Sequence, residues 1–259
     1  MRETRLFESS ILTIREIVCN AARGHGKEAE RNQVPCIAIP IRGCYAVERN
    51  REETVADTNT AIFFDTKSAY RVSHPADEGD VTVAITLNDA SFAAAFGDLR
   101  PACAPLNARD QLELHLLRRH VNANRDPLAA EEAALAVVRS IAGTARVALS
   151  HKSSAAVERA KAFLGERYSE KVLLEDVAGA AKCSPFTLAR AFPVATGMSL
   201  HRYLLALRHS AALHAIAGGA SDLSRLAADS GFAHHSHLTK TFARAFGATP
   251  SRIRARFLK

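Results

Sequence analysis

Side chains that could bind nucleic acid are concentrated in one stretch near the C-terminal end of the chain. Between residues 234 and 246 the sequence has no acidic residue, and hydrogen-bonding side chains lie on one side of a predicted helix. These side chains are His234, His235, Ser236, His237, Thr239, Lys240 and Arg244. Leu238, Phe242 and Phe246 recur at helical spacing on the other side. A helix that reads the DNA major groove needs such a face, although many polar helix faces are only solvated.

The same pattern occurs a second time, 50 residues earlier in the chain. The matching pairs are Leu188 and Leu238, Phe192 and Phe242, and Gly197 and Gly247. A repeat whose polar faces match predicts two helix-turn-helix units in one domain. In the second unit, Gly231 occupies the turn, where a side chain would obstruct the backbone or the contact between the helices.

Residues from about 155 to 257 resemble the DNA-binding domain of the AraC/XylS family of bacterial transcription regulators. The second unit carries the resemblance through residues 226–232, Leu238, Phe242, Phe246, Gly247, Pro250 and Arg254. The first unit carries it through Ser184, Pro185, Leu188, Arg190, Phe192, Gly197, Leu200 and Tyr203. The sequence departs from the family at Pro193, where basic or polar residues are more usual. Because proline lacks an N–H, we expect the first recognition helix to end or bend early there.

Alignment of the motif with this family implies which residues meet DNA. Arg190 and Lys240 are expected at base edges, since a basic side chain paired with guanine is the commonest specific contact. Phe186 and Thr187 are expected against thymine methyl groups. The residues expected at bases or phosphates are His234, His235, Ser236, His237 and Thr239. The residues expected at backbone phosphates are Ser184, Arg202 and Arg244.

For Ser184 and for the histidines the sequence also leaves another role open. Ser184 is also placed to cap the first recognition helix through its hydroxyl. The histidines His234, His235 and His237 leave open metal binding or a pH-dependent affinity for DNA, since histidine gains charge below about pH 6.5.

The charge of the chain is divided unevenly. Residues 151–259 contain 16 Lys and Arg against 7 Asp and Glu, whereas residues 1–150 contain 18 against 20. A slightly acidic first part and a strongly basic second part fit a regulatory domain joined to a nucleic-acid-binding domain. The expected domains are residues 1–148, a linker over 149–154, and a DNA-binding domain over 155–259.

Residues 10–88 are predicted to form short strands separated by breaks about every ten residues, which is typical of an antiparallel barrel or jelly roll. In AraC/XylS-like proteins this position often holds a cupin-like barrel that binds a small effector. The resemblance here rests on the strand rhythm and residues 70–75. The expected fold class is α+β with two domains, an N-terminal antiparallel β-barrel with trailing helices and a C-terminal all-α domain with two helix-turn-helix units. Phe63, Tyr70 and Arg71 are candidates for effector contacts, and a filled barrel without ligand is the alternative.

Two helices are predicted after the strands, one from Ala108 to residues 122–124 and one from Asp126-Pro127 to Gly143 or a little beyond. In the family such helices pack on the barrel and often form a dimer contact, whereas an apolar helix pair is more often plain core. The expected partners are double-stranded promoter DNA, a small-molecule effector, a second copy of the chain and RNA polymerase.

The cysteines Cys19, Cys36, Cys44, Cys103 and Cys183 are scattered and odd in number, which argues against a disulfide framework. Cys36 and Cys44 leave open a redox pair or a soft-metal site with His25 or His74, although no zinc spacing is present. We expect no metal, no cofactor and no catalytic residue, because the first part lacks the HxH pattern of metal cupins. No apolar run approaches the length of a membrane span and no signal peptide is evident, so the protein is expected to be cytoplasmic.

Two other classes of function compete with a DNA-binding regulator. A small-molecule or redox sensor that acts through protein partners, with a weakened DNA reader, is favoured by Pro193 alone. An enzyme is the third class, and demonstrating it would require turnover with added metal.

Overall fold

The computed structural model describes residues 1–26, 28–97, 99, 101–123, 126–148 and 153–258. The strands are β1 (Arg2–Glu8), β2 (Leu12–Cys19), β3 (Gly24–His25), β4 (Cys36–Arg42), β5 (Tyr45–Arg49), β6 (Glu52–Ala56), β7 (Thr60–Phe64), β8 (Arg71–His74), β9 (Asp80–Leu87) and β10 (Cys103–Pro105). The helices of this part are α1 (Asp89–Phe96), α2 (Ala108–Asn122) and α3 (Pro127–Ala148). The second part contains α4 (Ala155–Arg167), α5 (Leu174–Ala181), α6 (Pro185–Thr196), α7 (Leu200–Ala217), α8 (Leu223–Asp229), α9 (His235–Phe246) and α10 (Pro250–Leu258).

The strands form two antiparallel sheets, one in the order β1-β2-β9-β4-β7-β10 and the other in the order β3-β8-β5-β6. Both sheets contribute to one apolar cluster that includes Ala38, Val47 and Phe64, so the sheets face each other. The predicted α+β class, with a β-rich first part and a helical second part, is confirmed. Among the described strands the sheets do not close into a barrel, and two facing antiparallel sheets agree with the jelly-roll alternative.

The edge strand β6 shows one physical reason why the sheets do not close there. The backbone N–H of Val55 donates to Glu158 Oε2 at 2.6 Å, and Lys161 Nζ donates to the backbone C=O of Val55 at 2.6 Å. Glu158 and Lys161 lie on α4, are both buried, and are 3.1 Å apart. Side chains of the helical part therefore satisfy backbone groups that a neighbouring strand would otherwise bond.

The central strand β4 is apolar on both faces because it lies between two cores. Ile37, Ile39 and Ile41 pack into the cluster that also contains α1, α2 and α3, whereas Cys36 and Ala38 face the second sheet. Side chains of a strand alternate between its faces, so a continuous apolar run is needed here.

Helix α2 joins the two parts of the chain. Leu114 and Leu117 pack into the core of the first sheet, and Leu112 packs into the core formed by α7, α8, α9 and α10. Seven of the 15 residues of α2 are buried, including Asp110, which accepts a hydrogen bond from Ser140 on α3. Within this structure α2 is thus a core helix. No described helix is both long and apolar enough to cross a bilayer.

Of the predicted linker over 149–154, residues 149–152 lie outside the described residues. Ser154 caps α4 by accepting a hydrogen bond from the backbone N–H of Val157.

Candidate nucleic-acid interface

The two helix-turn-helix units are built alike, with α5 and α6 in the first and α8 and α9 in the second. The recognition helices α6 and α9 begin and end at positions that are 50 residues apart. Leu188 and Phe192 on α6, and Leu238 and Phe242 on α9, are fully buried at corresponding positions. The repeat in the sequence therefore corresponds to a repeat in the structure.

Both recognition helices are capped by the side chain of the residue before their first turn. Ser184 Oγ accepts from the backbone N–H of Thr187 at 3.1 Å, and His234 Nδ1 accepts from the backbone N–H of His237 at 3.1 Å. The prediction that Ser184 caps α6 is confirmed. Such a cap satisfies an N–H group that has no partner inside the helix.

The ends of the two helices are also equivalent. Gly197 and Gly247 have φ of 71° and 72°, the left-handed conformation that glycine adopts at helix ends. Of the two outcomes expected at Pro193, an early end or an early bend of α6, the early end does not occur, since the helix continues to Thr196. Pro193 lies in the last turn, where it removes only its own N–H bond. The carbonyl of Phe192 still accepts a bond from Thr196 Oγ1 at 2.8 Å.

Gly231 makes the turn of the second unit, as predicted, and its φ is 77°. A Cβ atom at this position would lie 2.7 Å from Ser169 Cα and 2.8 Å from the backbone oxygen of Tyr168. The turn therefore packs directly on the chain that follows α4, and this contact leaves no space for a side chain.

Most of the predicted DNA-contact residues are exposed on the surface. The exposed residues are Ser184, Phe186, Thr187, Arg190, Arg202, His234, His235, Ser236, Lys240 and Arg244. Phe186 is 77% exposed, which is unusual for a large aromatic side chain. His237 and Thr239 are only partly exposed, and Thr239 Oγ1 is buried without a hydrogen-bond partner among the described residues. The hydroxyl of Thr239 is therefore shielded from solvent and does not lie on the open face.

The basic residues of this surface are free to meet an external anion. Arg190, Arg202, Lys240 and Arg244 form no ion pair with any residue that the structure describes. Neither α6 nor α9 contains an acidic residue. The exposed faces therefore combine positive charge with hydrogen-bond donors, which is the electrostatic requirement for contact with a phosphate backbone.

One basic residue of this kind was missed at the sequence level. Arg252 is exposed and lies 50 residues after Arg202. The backbone N–H of Arg202 bonds to Ser199 Oγ at 3.4 Å, and that of Arg252 bonds to Thr249 Oγ1 at 3.4 Å. Each arginine thus lies in the capped first turn of the helix that follows a recognition helix. Extending the 50-residue offset past Gly247 would have identified it.

Behind the second recognition helix, His209 of α7 is packed among aromatic rings. Its ring lies 5.5 Å from that of Phe232 and 6.0 Å from that of Phe242, and its Nε2 is 3.1 Å from Thr241 Oγ1. Burial and the neighbouring His237 lower the pKa of His209 to about 4. A neutral His209 therefore supports α9 from the core side.

The three residues predicted to contact an effector are not brought together. Phe63 packs against Phe96 on the helix side of the first sheet, with ring centroids 5.2 Å apart. Tyr70 lies between the sheets and donates to Asn32 Oδ1 at 2.7 Å, while Arg71 is exposed. Strand alternation and the two-sheet arrangement place these three side chains in different surroundings, so the structure does not bring them into one pocket.

A cavity of about 530 Å³ lies between the two parts of the chain. Arg42 contributes from the end of β4, Tyr168 from the end of α4, His214 from α7 and Arg225 from α8. Its walls therefore come from both domains and include the first helix of the second helix-turn-helix unit.

Cys36 and Cys44 are both free and buried, in different apolar clusters. Burial raises the pKa of the Cys36 thiol to about 11 and that of the Cys44 thiol to about 12. Thiols with raised pKa values are poor nucleophiles and poor metal ligands at neutral pH. The geometry supports the interpretation that Cys36 and Cys44 are ordinary buried thiols.

Comparison with known protein families gives a match for the C-terminal part of the chain. Residues 177–256 match the family described as "Helix-turn-helix domain", and no curated protein sequence matches the chain. ToxT from Vibrio cholerae is 13% identical over 95% of this chain and 99% of its own, with a TM-score of 0.41. The C-terminal domain of AraT, a response regulator from Geobacillus stearothermophilus, is 24% identical over 40% of this chain and 88% of its own, with a TM-score of 0.39.

The DNA-binding domain of AdpA, solved in complex with a target DNA, is 25% identical over 40% of this chain and 94% of its own, with a TM-score of 0.38. The match over residues 177–256 covers α6 through α9, and includes the exposed faces of both recognition helices. The match shows that the chain carries a C-terminal helix-turn-helix domain over residues 177–256, in the part of the sequence that resembles the DNA-binding domain of the AraC/XylS family.

Proposed function

We propose that this protein is a DNA-binding transcription regulator of the AraC/XylS type, and that it recognises a specific DNA sequence by placing α6 and α9 in two successive major grooves. The observation that supports this proposal is the equivalence of the two helices. Both are capped by a side chain at the N-terminus, both bury apolar residues at matching positions, and both have an exposed face without acidic residues. Two helix faces that are only solvated would not need to share these features, whereas two copies of one DNA-reading unit would.

The spacing between the units supports two grooves on one side of the duplex. Helix α7, which connects the units, has 18 residues and is therefore about 27 Å long. Successive major grooves on one face of B-DNA are about 34 Å apart. A connecting helix of this length can hold two reading helices at a comparable separation.

We assign the base-edge contacts to Arg190 and Lys240, which are equivalent in the repeat and both exposed. The other proposed contacts to bases are Phe186, Thr187, His235 and Ser236. The proposed phosphate contacts are Ser184, Arg202, His234, Arg244 and Arg252. Thr239 leaves the set because its hydroxyl is buried. The ring of His237 is half-buried and lies 5.6 Å from that of Phe232, so it positions α9 and does not read a base.

The first domain, residues 1–148, supplies regulation in this proposal, and residues 155–259 bind DNA. A small effector would bind in the cavity between the domains, because about 530 Å³ suits a small ligand and the walls belong to both domains. Homodimerisation and contact with RNA polymerase complete the proposal. The dimer contact is placed on α3, where Leu128 is 64% exposed. The regulator is proposed to act in the cytoplasm, without catalysis.

The competing proposal of a sensor with a weakened DNA reader rested on Pro193. Because α6 remains helical to Thr196 and keeps its exposed face, that observation no longer favours it. The DNA-binding proposal is the better supported of the two.

The test is selection of the full-length protein on a random-sequence DNA pool, followed by titration of the selected site against salt. We expect an enriched motif with two elements about one helical turn apart, and an affinity that falls steeply with salt. Salt-sensitive binding without an enriched motif would contradict sequence-specific reading. A motif with only one element would contradict the use of both helices.

A further inference from the structure

Three potential metal ligands meet at one end of the sheets. A ring nitrogen of His74, the Sγ of Cys19 and a carboxylate oxygen of Asp80 all lie within 4.8 Å of one another. These residues are separated by more than 50 positions between Cys19 and His74, so no sequence spacing indicated the cluster. It lies away from the recognition helices.

The register of the strands creates this juxtaposition. Cys19 at the end of β2 and Asp80 at the start of β9 are directly paired across the sheet. His74 ends β8, and a short turn leads from it to Asp80. Within that turn, a Cβ atom on Gly79 would lie 2.1 Å from the backbone oxygen of Cys19. The backbone segments are therefore in close contact, and the three side chains are held near one another without any ion.

We propose that Cys19, His74 and Asp80 bind a divalent transition metal ion of the Zn²⁺ type, with water as the fourth ligand. In tetrahedral sites Zn²⁺ binds thiolate, imidazole and carboxylate together, with metal–ligand distances of about 2.0–2.3 Å. The ligand atoms around such an ion are a few ångströms from one another, as the atoms of Cys19, His74 and Asp80 are here. Mg²⁺ and Ca²⁺ prefer oxygen ligands alone, which makes a thiolate and an imidazole unsuitable for them.

The surroundings fit such a site. Thr82 Oγ1 donates to Asp80 Oδ2 at 2.8 Å and so orients the carboxylate, as partners of metal ligands commonly do. The side chains of His74 and Asp80 are 14% and 4% exposed, and Cys19 is partly exposed. The site is therefore shielded but still accessible to an ion. Without metal, His74 Nε2 faces Asp80 Oδ1 at 3.4 Å, and a simple polar pair is the competing explanation.

The cluster also adjoins the contact between the two domains. In the turn after His74, Ala76 packs in a cluster with Ala162 of α4. After Cys19, the backbone N–H of Arg23 donates to Asp77 Oδ1 at 2.8 Å, and its guanidinium pairs with Glu166 of α4. An ion that joins Cys19, His74 and Asp80 would tie together both segments that contact the first helix of the DNA-binding domain.

The test uses full-length protein, treated with a chelator and kept reduced without added thiol, and titrated with Co²⁺ as a spectroscopic probe. We expect about one ion per chain, with a thiolate-to-cobalt absorption band in the near ultraviolet, and displacement of the band by Zn²⁺. Cys19→Ser should remove the band, and Asp80→Asn should weaken binding by about tenfold or more. Cys183→Ser, at a partly exposed thiol in the first helix-turn-helix unit, is the matched control and should keep the band.

Absence of the band in the wild-type protein, its survival in Cys19→Ser, or its loss in the folded Cys183→Ser control would overturn the proposal. Circular dichroism establishes that each variant is folded. If Cys19→Ser does not fold, His74→Gln is examined in the same way and should lower the Co²⁺ affinity by about tenfold or more. Zn²⁺ should also raise the melting temperature of the wild-type protein and not that of a ligand variant. An equal rise in both would contradict this site.

Discussion

Tyr203, on the helix that connects the two helix-turn-helix units, donates its hydroxyl hydrogen to Asp57 Oδ2 in the β6–β7 turn at 2.5 Å. Both side chains are buried, and the two residues belong to different domains. Burial raises the pKa of the Asp57 carboxyl, whereas the charge of Lys161 and the bond from Tyr203 act to lower it. The backbone carbonyl of Tyr203 also accepts from Asn59 Nδ2 at 3.2 Å. This polar contact therefore connects the β-rich first part of the chain directly to the centre of the helical second part.

We expect Tyr203→Phe to lower the free energy of unfolding by about 1–3 kcal/mol, because the buried Asp57 would lose its hydroxyl donor. Urea denaturation followed by circular dichroism measures this loss. Tyr168→Phe is the control, since the Tyr168 hydroxyl makes no hydrogen bond with any residue that the structure describes. Equal stability of Tyr203→Phe and wild type would mean that the Asp57 contact contributes nothing.

Acid should destabilise the protein through the buried His115 and the partly buried His214, which face each other between α2 and α7. Burial lowers the pKa of His115 on α2 to about 3 and that of His214 on α7 to about 4, and their rings are 5.6 Å apart. Their Nδ1 atoms have no hydrogen-bond partner among the described residues. The unfolded chain binds more protons than the folded chain below about pH 6.5, so stability is complete above that pH and is lost as the pH falls toward 4.

For His115 this loss should reach roughly 2 kcal/mol between pH 7.5 and pH 5. Urea denaturation at several pH values measures it. His115→Gln should reduce the dependence on pH, and His201→Gln, at an exposed histidine, should leave it unchanged. The same slope in His115→Gln and wild type would contradict the assignment.

Two glycines with almost equal φ provide a matched test of the second turn. Gly231 (φ 77°) is in contact with the backbone of Tyr168 and Ser169, whereas a Cβ on Gly247 (φ 72°) would meet no atom within 4 Å. Gly247→Ala should cost only the left-handed conformation, about 1–2 kcal/mol. Gly231→Ala should cost clearly more and lower DNA affinity, because α8 and α9 must move away from the end of α4. Thermal denaturation measures the loss of stability in both variants. Equal losses would exclude a role for the contact between Gly231 and the backbone of Tyr168 and Ser169.

DNA binding should separate base readers from phosphate contacts. Arg190→Ala and Lys240→Ala should each weaken binding to the selected site by about 1–3 kcal/mol and relax the sequence preference. Arg202→Ala and Arg252→Ala should weaken binding to all sequences alike and reduce the salt slope by about one. Fluorescence anisotropy with selected and scrambled duplexes at several salt concentrations measures both effects. An unchanged preference in Arg190→Ala and Lys240→Ala would refute the proposed base contacts.

The helical domain was largely predictable because its determinants are local. Helix caps such as Ser184, C-terminal glycines such as Gly197 and Gly247, and the apolar spacing of α6 and α9 each depend on a few neighbouring residues. The first domain was less predictable. Helix α1 was missed, because it has no strong periodic pattern of its own. Arg71 was placed in a pocket although it is exposed, since strand rhythm alone does not define which face is inward.

The sequence by itself determined the two helix-turn-helix units, their buried stripes and their exposed basic faces, because helical periodicity and capping act over a single turn. Only the tertiary structure decided that α2 is buried between two cores, that Tyr203 meets Asp57, and that Cys19, His74 and Asp80 converge. These contacts join residues that are distant in the chain. They depend on strand register and on the docking of α4 and α7, and neither leaves a local pattern in the sequence.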